Sequence, residues 1–281
     1  MSRWLARGVL VLLQPGVVAL PEGSADWAVR ARAAMLWSGG PLSHVSALHA
    51  AGLLTAPGGP VHVTVPTRRL PRGGKQVITH RSDRRLITVR FGQLEAVAVE
   101  RSIVDAWTWA HMPARNPRAD REAPLVRAAL IDGVRSRGVG VRALARESGR
   151  RPLHAGRSSL VSLLGLIAGG CESELEIWGV TQVLPGPPDV PAWVQQHRVR
   201  LPGGEWARLD AAYPAARVAV ELDGAAFHGS RAARERDLRR DTALAALGWV
   251  VLRFSYARLM ADPDGCRREI ATVVAHRLVT Q

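Results

Sequence analysis

The chain has 281 residues, 47% of them hydrophobic, and a formal net charge of +14. Length and composition fit two modest globular domains or one large one, with ample material for a core. Two distant cysteines, Cys171 and Cys266, make neither a disulfide framework nor a zinc pattern, which points to a reducing, cytoplasmic setting.

The basic excess favours a polyanionic partner, nucleic acid before an anionic membrane. Lys75 is the sole lysine, so the excess is carried by arginine. Arg3 and Arg7 precede the apolar stretch "GVLVLLQPGVVAL", a faint signal-peptide pattern. Gln14-Pro15-Gly16 interrupt it, and no small-residue cleavage site follows. No apolar run is long enough to span a membrane, so no membrane partner is expected.

The first stretch, "SRWLARGVLVLLQPGVVAL", reads as a helix end and two β-segments about the Pro15-Gly16 turn. A helix is predicted from about Ser24 through Trp37, and a second over "PLSHVSALHAAGLL", with Ser43 as its N-cap. "GPVHVTVP" alternates, Val61, Val63 and Val65 on one face, and reads as a strand. "KQVITHRS" and "RRLITVRF" are further strands, and "AVERSIVDAWTWAH" a helix. "MPARNPRADREAP" is linker-like; helices follow around "PLVRAALIDGV" and "GVRALARES".

A basic break at "GRRPLHAGRSSL" sets a domain boundary at about 150–160. The helix from Ser158 to about Val183 should break near Gly169-Gly170. Strands are then expected around "VQQHRVRL", "EWARLDAAY" and "RVAVELD", followed by a long helix, the strand "WVVLRFS" and a last helix from about Asp264 to Leu278. The expected domains are 1–112, a helical linker region over 113–157, and 158–281.

"RLDAAYPAARVAVELDG" should form a β-hairpin. If Ala215 and Ala216 form the turn, Asp210 faces Glu221 across the pair. Glu221 and Asp223 share a strand face by the period of two, so three carboxylates could converge on one side of a sheet. Opposed like charges destabilise a sheet, and desolvation adds to that cost. A divalent cation relieves both, since Mg²⁺ takes hard oxygen ligands and can activate water for phosphodiester hydrolysis. The same alternation is also that of an ordinary half-buried strand, apolar side in and acidic side out.

The following helix carries Arg231, Arg234, Arg236, Arg239 and Arg240 among Glu235, Asp237 and Asp241. It reads either as a solvated, ion-paired face or as a phosphate-contacting one, with Arg231, Arg234, Arg236 and Arg240 as the DNA-binding set.

At these residues the sequence resembles the DUF559 family, itself similar to the very-short-patch repair endonuclease of the PD-(D/E)XK superfamily. The resemblance covers roughly residues 171–278: an Asp on one strand, a short turn, "ELDG", a His, an Arg-Asp helix and "GWVVLRF". It implies an α/β fold with a restriction-endonuclease-like core, a mixed central sheet flanked by helices, binding Mg²⁺ or Mn²⁺. It nominates Asp210 and Glu221 as metal ligands, with Asp223 near them. His228 becomes a general base or phosphate contact, and Glu176 of "SELE" the acid of the first core helix. The wider superfamily has a lysine where this chain has Asp223; the repair-endonuclease branch also lacks it.

The N-terminal part resembles the AbiEi-like antitoxin domain of type IV toxin–antitoxin systems, through "LARGVLVLLQPGVVALP", "LSHVSALHAAGLL", "VHVTVP" and "VERSIVDAW". The resemblance implies a smaller α+β domain carrying a truncated winged helix, with Ser2 to Arg7 as the end of the recognition helix and Val9 to Leu20 as the wing. A protein partner or a homodimer through this domain would follow.

Two functions stay in competition: a metal-dependent DNA endonuclease or nickase, and a non-catalytic DNA-binding regulator that keeps a nuclease fold. A nucleotide-binding enzyme lacks support, since "GLIAGG" does not follow a strand. Neither cysteine has a convincing catalytic partner.

Overall fold

The computed structural model describes residues 2–55, 59–151, 153–184, 191–223 and 231–280, with the side chains of Ser2, Asp223 and residues 231–234 outside that description. The chain forms two compact units, residues 1–164 and 165–281.

In the first unit, α1 (Ser2–Ala6) leads into an antiparallel hairpin of β1 (Val11–Gln14) and β2 (Val17–Ala19), turned at Gly16 with φ +79°. Helix α2 (Trp27–Ser38) starts at Asp26, two residues past the expected Ser24. The Asp26 carboxylate accepts from the N–H groups of Ala28 at 2.6 Å and Val29 at 3.1 Å, satisfying donors that the first turn leaves orphaned. Helix α3 (His44–Ala50) follows Ser43, which holds the cap position without capping; its Oγ lies 2.9 Å from Nδ1 of His44 instead.

Strands β3 (Val61–Pro66) and β4 (Val77–Ser82) pair in parallel, and β5 (Thr88–Phe91) and β6 (Leu94–Val97) antiparallel. Both faces of β3 are buried: Val61 and Val63 pack on Ala31, Ala34 and Leu42, while His62 and Thr64 are enclosed on the other side. Ala96 and Val97, outside every expected element, lie in β6, where Leu42 bonds the backbone: its N–H donates to Glu95 O and its carbonyl accepts from Val97 N.

The helix expected from Ala98 is α4 (Val99–Ala110), with α5 (Ala119–Ser136) and α6 (Val141–Gly149) packed against it. The start of α5 absorbs half of the linker-like stretch. Buried Asn116 organises it, accepting from Arg118 N at 3.0 Å and donating to the Glu122 carboxylate at 2.9 Å. Helix α7 (Arg157–Ala168) contains the division between the units.

The second unit is a four-stranded mixed sheet between helices. Helix α8 (Glu174–Gln182) follows the break at Gly169-Gly170 that the sequence predicts. Then come β7 (Val194–Arg200), β8 (Trp206–Tyr213), β9 (Val218–Asp223), α9 (Arg231–Ala246), β10 (Val250–Ser255), α10 (Tyr256–Ala261) and α11 (Pro263–Val279). The strand order is β10-β9-β8-β7, with β7, β8 and β9 antiparallel and β9–β10 parallel across the α9 crossover. A parallel pair needs such a crossover, because a tight turn can only reverse the chain.

One sheet face carries Ala211, Tyr213, Val218, Val220, Leu222 and Phe254 against Leu175, Leu184, Ile270 and Val274. The other carries Val199, Leu209, Ala212 and Ala219 against Leu244 of α9. Each fully buried Val or Leu contributes roughly 1.5–3 kcal/mol. Strand β9 is thus covered on both sides, and the half-buried alternative, apolar in and acidic out, does not hold. Among the described residues, no helix is long and apolar enough to cross a membrane.

Candidate active site

The β8–β9 hairpin keeps the register expected from the sequence. Ala211 pairs with Val220, Ala212 with Ala219 and Tyr213 with Val218, and continuing it sets Asp210 opposite Glu221. The turn is longer than two residues: a 3₁₀ segment over Pro214–Ala216 and then Arg217 at φ +50°. It is centred on the same Ala215-Ala216 pair, so the register is unchanged. At the position of the next pair, the Asp210 carboxylate accepts from the backbone N–H of Leu222 at 3.1 Å.

Glu221 lies on the α9 side of the sheet, 7% exposed. Its Oε1 accepts from Nη2 of Arg240 at 2.5 Å, and the same Nη2 donates to Arg208 O at 3.1 Å. Burial pushes the Glu221 carboxyl up to about 7; Arg240 pulls it down and Asp210 pushes it further up. Desolvation therefore outweighs the ion pair, as it does for charges taken out of water.

Arg253, beside Glu221 in the parallel register, donates to both carboxylate oxygens of Asp241 on α9, at 2.7 and 2.9 Å. Neither this pair nor Arg208–Glu172, at 2.6 Å, follows from the sequence, because both join residues on elements whose packing a one-dimensional pattern does not reveal.

Glu176 comes from α8 and belongs to that helix's N-terminal cap. Ser173 Oγ accepts from Glu176 N at 3.1 Å and donates to Glu176 Oε1 at 2.8 Å, and Oε2 accepts from Glu172 N at 3.0 Å. "SELE" carries this capping-box signature in plain sight. Burial raises the Glu176 carboxyl; its two hydrogen bonds lower it and Asp210 raises it again. Asp210 is thus the carboxylate that both Glu176 and Glu221 feel.

Helix α8 is held close to β9 at Gly179, where a Cβ would meet Leu222 Cδ1 at 2.4 Å. Any larger residue there would have to displace the Leu222 side chain. The three carboxylates gather near the end of β9, but among the described residues they do not draw together into one tight ligand cluster.

His228 lies outside the described residues, as do the side chains of Asp223, Arg231 and Arg234. Arg236 is exposed on α9, with Arg239 and Glu235 paired beside it at 3.3 Å. Arg240, expected to face a phosphate, is turned to Glu221 in this structure.

Asp210 and Glu221 offer hard oxygen donors of the type that Mg²⁺ takes. A buried carboxylate whose protonation is favoured by desolvation, with a second carboxylate beside it, gains from a dication.

The acidic hairpin lies in the part of the chain for which a family comparison gives a match. Residues 206–274 match the restriction-endonuclease-like family model REase_MTES_1575, a stretch that contains Asp210, Glu221 and the whole of α9. Two proteins of Mycobacterium tuberculosis are similar over a longer span: uncharacterized protein MT2308 of strain CDC 1551 / Oshkosh and uncharacterized protein Rv2248 of strain ATCC 25618 / H37Rv. Each is 28% identical over 179 residues, 64% of this chain and 64% of the relative. The chain thus matches under two thirds of the length of these curated relatives.

Proposed function

We propose that the C-terminal unit is a metal-dependent endodeoxyribonuclease or nickase that hydrolyses phosphodiester bonds. The observation that carries this reading is the Asp210–Glu221 register at the end of β9, inside the segment that matches the restriction-endonuclease-like family. Asp210 and Glu221 would hold Mg²⁺ or Mn²⁺, which supplies a nucleophilic water at neutral pH and neutralises a phosphoryl oxygen. Glu221 is placed by β9, buried, and kept responsive to a cation by its raised carboxyl. Asp210 is oriented by the Leu222 N–H. Arg240 neutralises Glu221 in the absence of a metal, and its release would present a guanidinium to a phosphate. Arg236 on the exposed side of α9 adds to the backbone contact, and the excess of arginine favours a nucleic-acid phosphate backbone as the polyanion.

The N-terminal unit is read as an AbiEi-like regulatory or targeting element. Its α1–β1–β2 arrangement supports the truncated winged helix, and it would meet DNA, a protein partner or a second copy.

The second reading, a DNA-binding regulator without catalysis, is favoured by the Arg240–Glu221 ion pair, which occupies the acid the chemistry needs. The deciding experiment incubates the full chain with supercoiled plasmid and short single-stranded or mismatched duplexes in Mg²⁺ or Mn²⁺. EDTA and Asp210→Asn serve as controls. Metal-dependent cutting that disappears in the variant is expected. Retention of DNA without cutting in every substrate selects the regulator.

A further inference from the structure

The first unit brings together three histidines that the nuclease reading does not use. His44 starts α3, His62 lies in β3 and His80 in β4, and one ligand nitrogen from each falls within 4.8 Å of the others. Nδ1 of His62 stands 3.0 Å from Nε2 of His80, and the His44 ring stacks on His80 with centroids 3.5 Å apart. Two nitrogens bound to one tetrahedral zinc at the usual 2.0–2.1 Å stand about 3.3 Å apart, close to the His62–His80 separation.

The Nδ1 of His44 lies 2.9 Å from Ser43 Oγ, the kind of outer contact that orients ligating histidines. Its backbone is held at φ +52°, a left-handed conformation that costs a non-glycine residue energy and fixes the ring where it is.

His62 is fully buried, and its Nε2 has no hydrogen-bond partner among the described residues. Nδ1 is the nitrogen of this ring that meets His80, so a metal shared with His80 would use Nδ1 and leave Nε2 on the far side of the ring. His44 and His80 also line a cleft of about 590 Å³, together with Asp105, Arg81, Arg115 and Arg151. The cleft leaves room for a fourth ligand.

We propose that His44, His62 and His80 form a binding site for a divalent first-row transition metal, zinc first, with a fourth position open to the cleft. Three imidazoles select such a metal over Mg²⁺, which prefers oxygen. Three protein ligands and an open position are the pattern of a reactive rather than a purely structural zinc site. Asp105 lies in the same cleft, bound by Arg101 at 2.6 Å and Arg151 at 2.7 Å, and these arginines favour water as hydroxide or another small anion in the open position.

The test uses the full chain purified without metal-affinity resin. Elemental analysis is expected to find about one zinc per chain. After chelation, Co²⁺ added to the apoprotein should give the visible absorption of four-coordinate cobalt with nitrogen ligands, and Zn²⁺ should displace it. His80→Phe and His44→Phe keep the ring stack and remove a ligand; each should weaken zinc binding by at least ~10-fold, while Glu221→Gln retains it. A folded apoprotein that shows no four-coordinate cobalt spectrum overturns the site. So does a folded His80→Phe variant that binds zinc as tightly as wild type.

Discussion

Glu221→Gln isolates the energetic cost of the buried carboxylate. A carboxyl whose ordinary value is 4.5 stands at about 7 in the folded chain. At 1.36 kcal/mol per tenfold change in proton affinity, ionising it in place costs the folded state on the order of 3 kcal/mol more than ionising it in the unfolded chain. The sign follows from proton counts. Between pH 4.5 and about 7 the folded state holds a proton that the unfolded state has lost, so stability falls as pH rises through that window. Glutamine keeps the shape and removes the titration.

The assay is hydrogen exchange of β8 and β9 amides under mild denaturant in metal-free buffer, comparing wild type and variant at each pH. This reports the C-terminal unit by itself. The wild-type opening free energy should fall relative to the variant by about 3 kcal/mol from pH 4.5 to 7.5, and the two curves should run parallel above that. A difference that stays constant over this range would show that the carboxyl is not shifted and would remove the electrostatic case for a cation there.

Gly179→Val drives a side chain into Leu222, since even a Cβ would stand 2.4 Å from Cδ1; a loss of about 1–3 kcal/mol is expected in chemical denaturation, partly restored by Leu222→Ala. Leu244→Ala removes the fully buried contact by which α9 covers the sheet and should cost about 2–5 kcal/mol, read from the same transition. Arg240→Ala leaves Glu221 buried without its counter-charge and should lower stability by up to about 3–5 kcal/mol at pH 8, with much less effect at pH 5, where Glu221 holds its proton. Burial pushes the Cys171 thiol up to about 11, so iodoacetamide at pH 7.5 should label it far more slowly than a free thiol until the chain is unfolded, as mass spectrometry would show.

Most strands and helices were legible because period and punctuation are local properties. The β8–β9 register followed from symmetry about Ala215-Ala216, even though the turn proved longer. The break before α8 followed from Gly169-Gly170, whereas the Ser173–Glu176 cap, though spelled out three residues apart, went unread beside the family role given to Glu176. What stayed hidden depended on partners far away in sequence. Nothing local marks Leu94–Val97 as a strand; β5 and Leu42 hold it there. The alternation of β9 reads as one wet face, but α9 covers that face, so Glu221 is buried rather than solvated. The period of two separated His62 and Thr64 from the valines of β3, and the burial of that second face was the signal that would have drawn attention to the histidines.

The order in which the acidic hairpin acquires its neighbours carries a kinetic consequence. Asp210 and Glu221 are eleven residues apart and meet through one short turn. Arg240 and β10 arrive only after the whole β9–α9–β10 crossover has closed, a later and entropically costlier event. The chain therefore brings its negative charges together before the arginine that screens them is in place. Until that closure, electrostatic repulsion opposes the hairpin, and any cation that bridges the two acids would serve as a folding aid before it could serve as a cofactor.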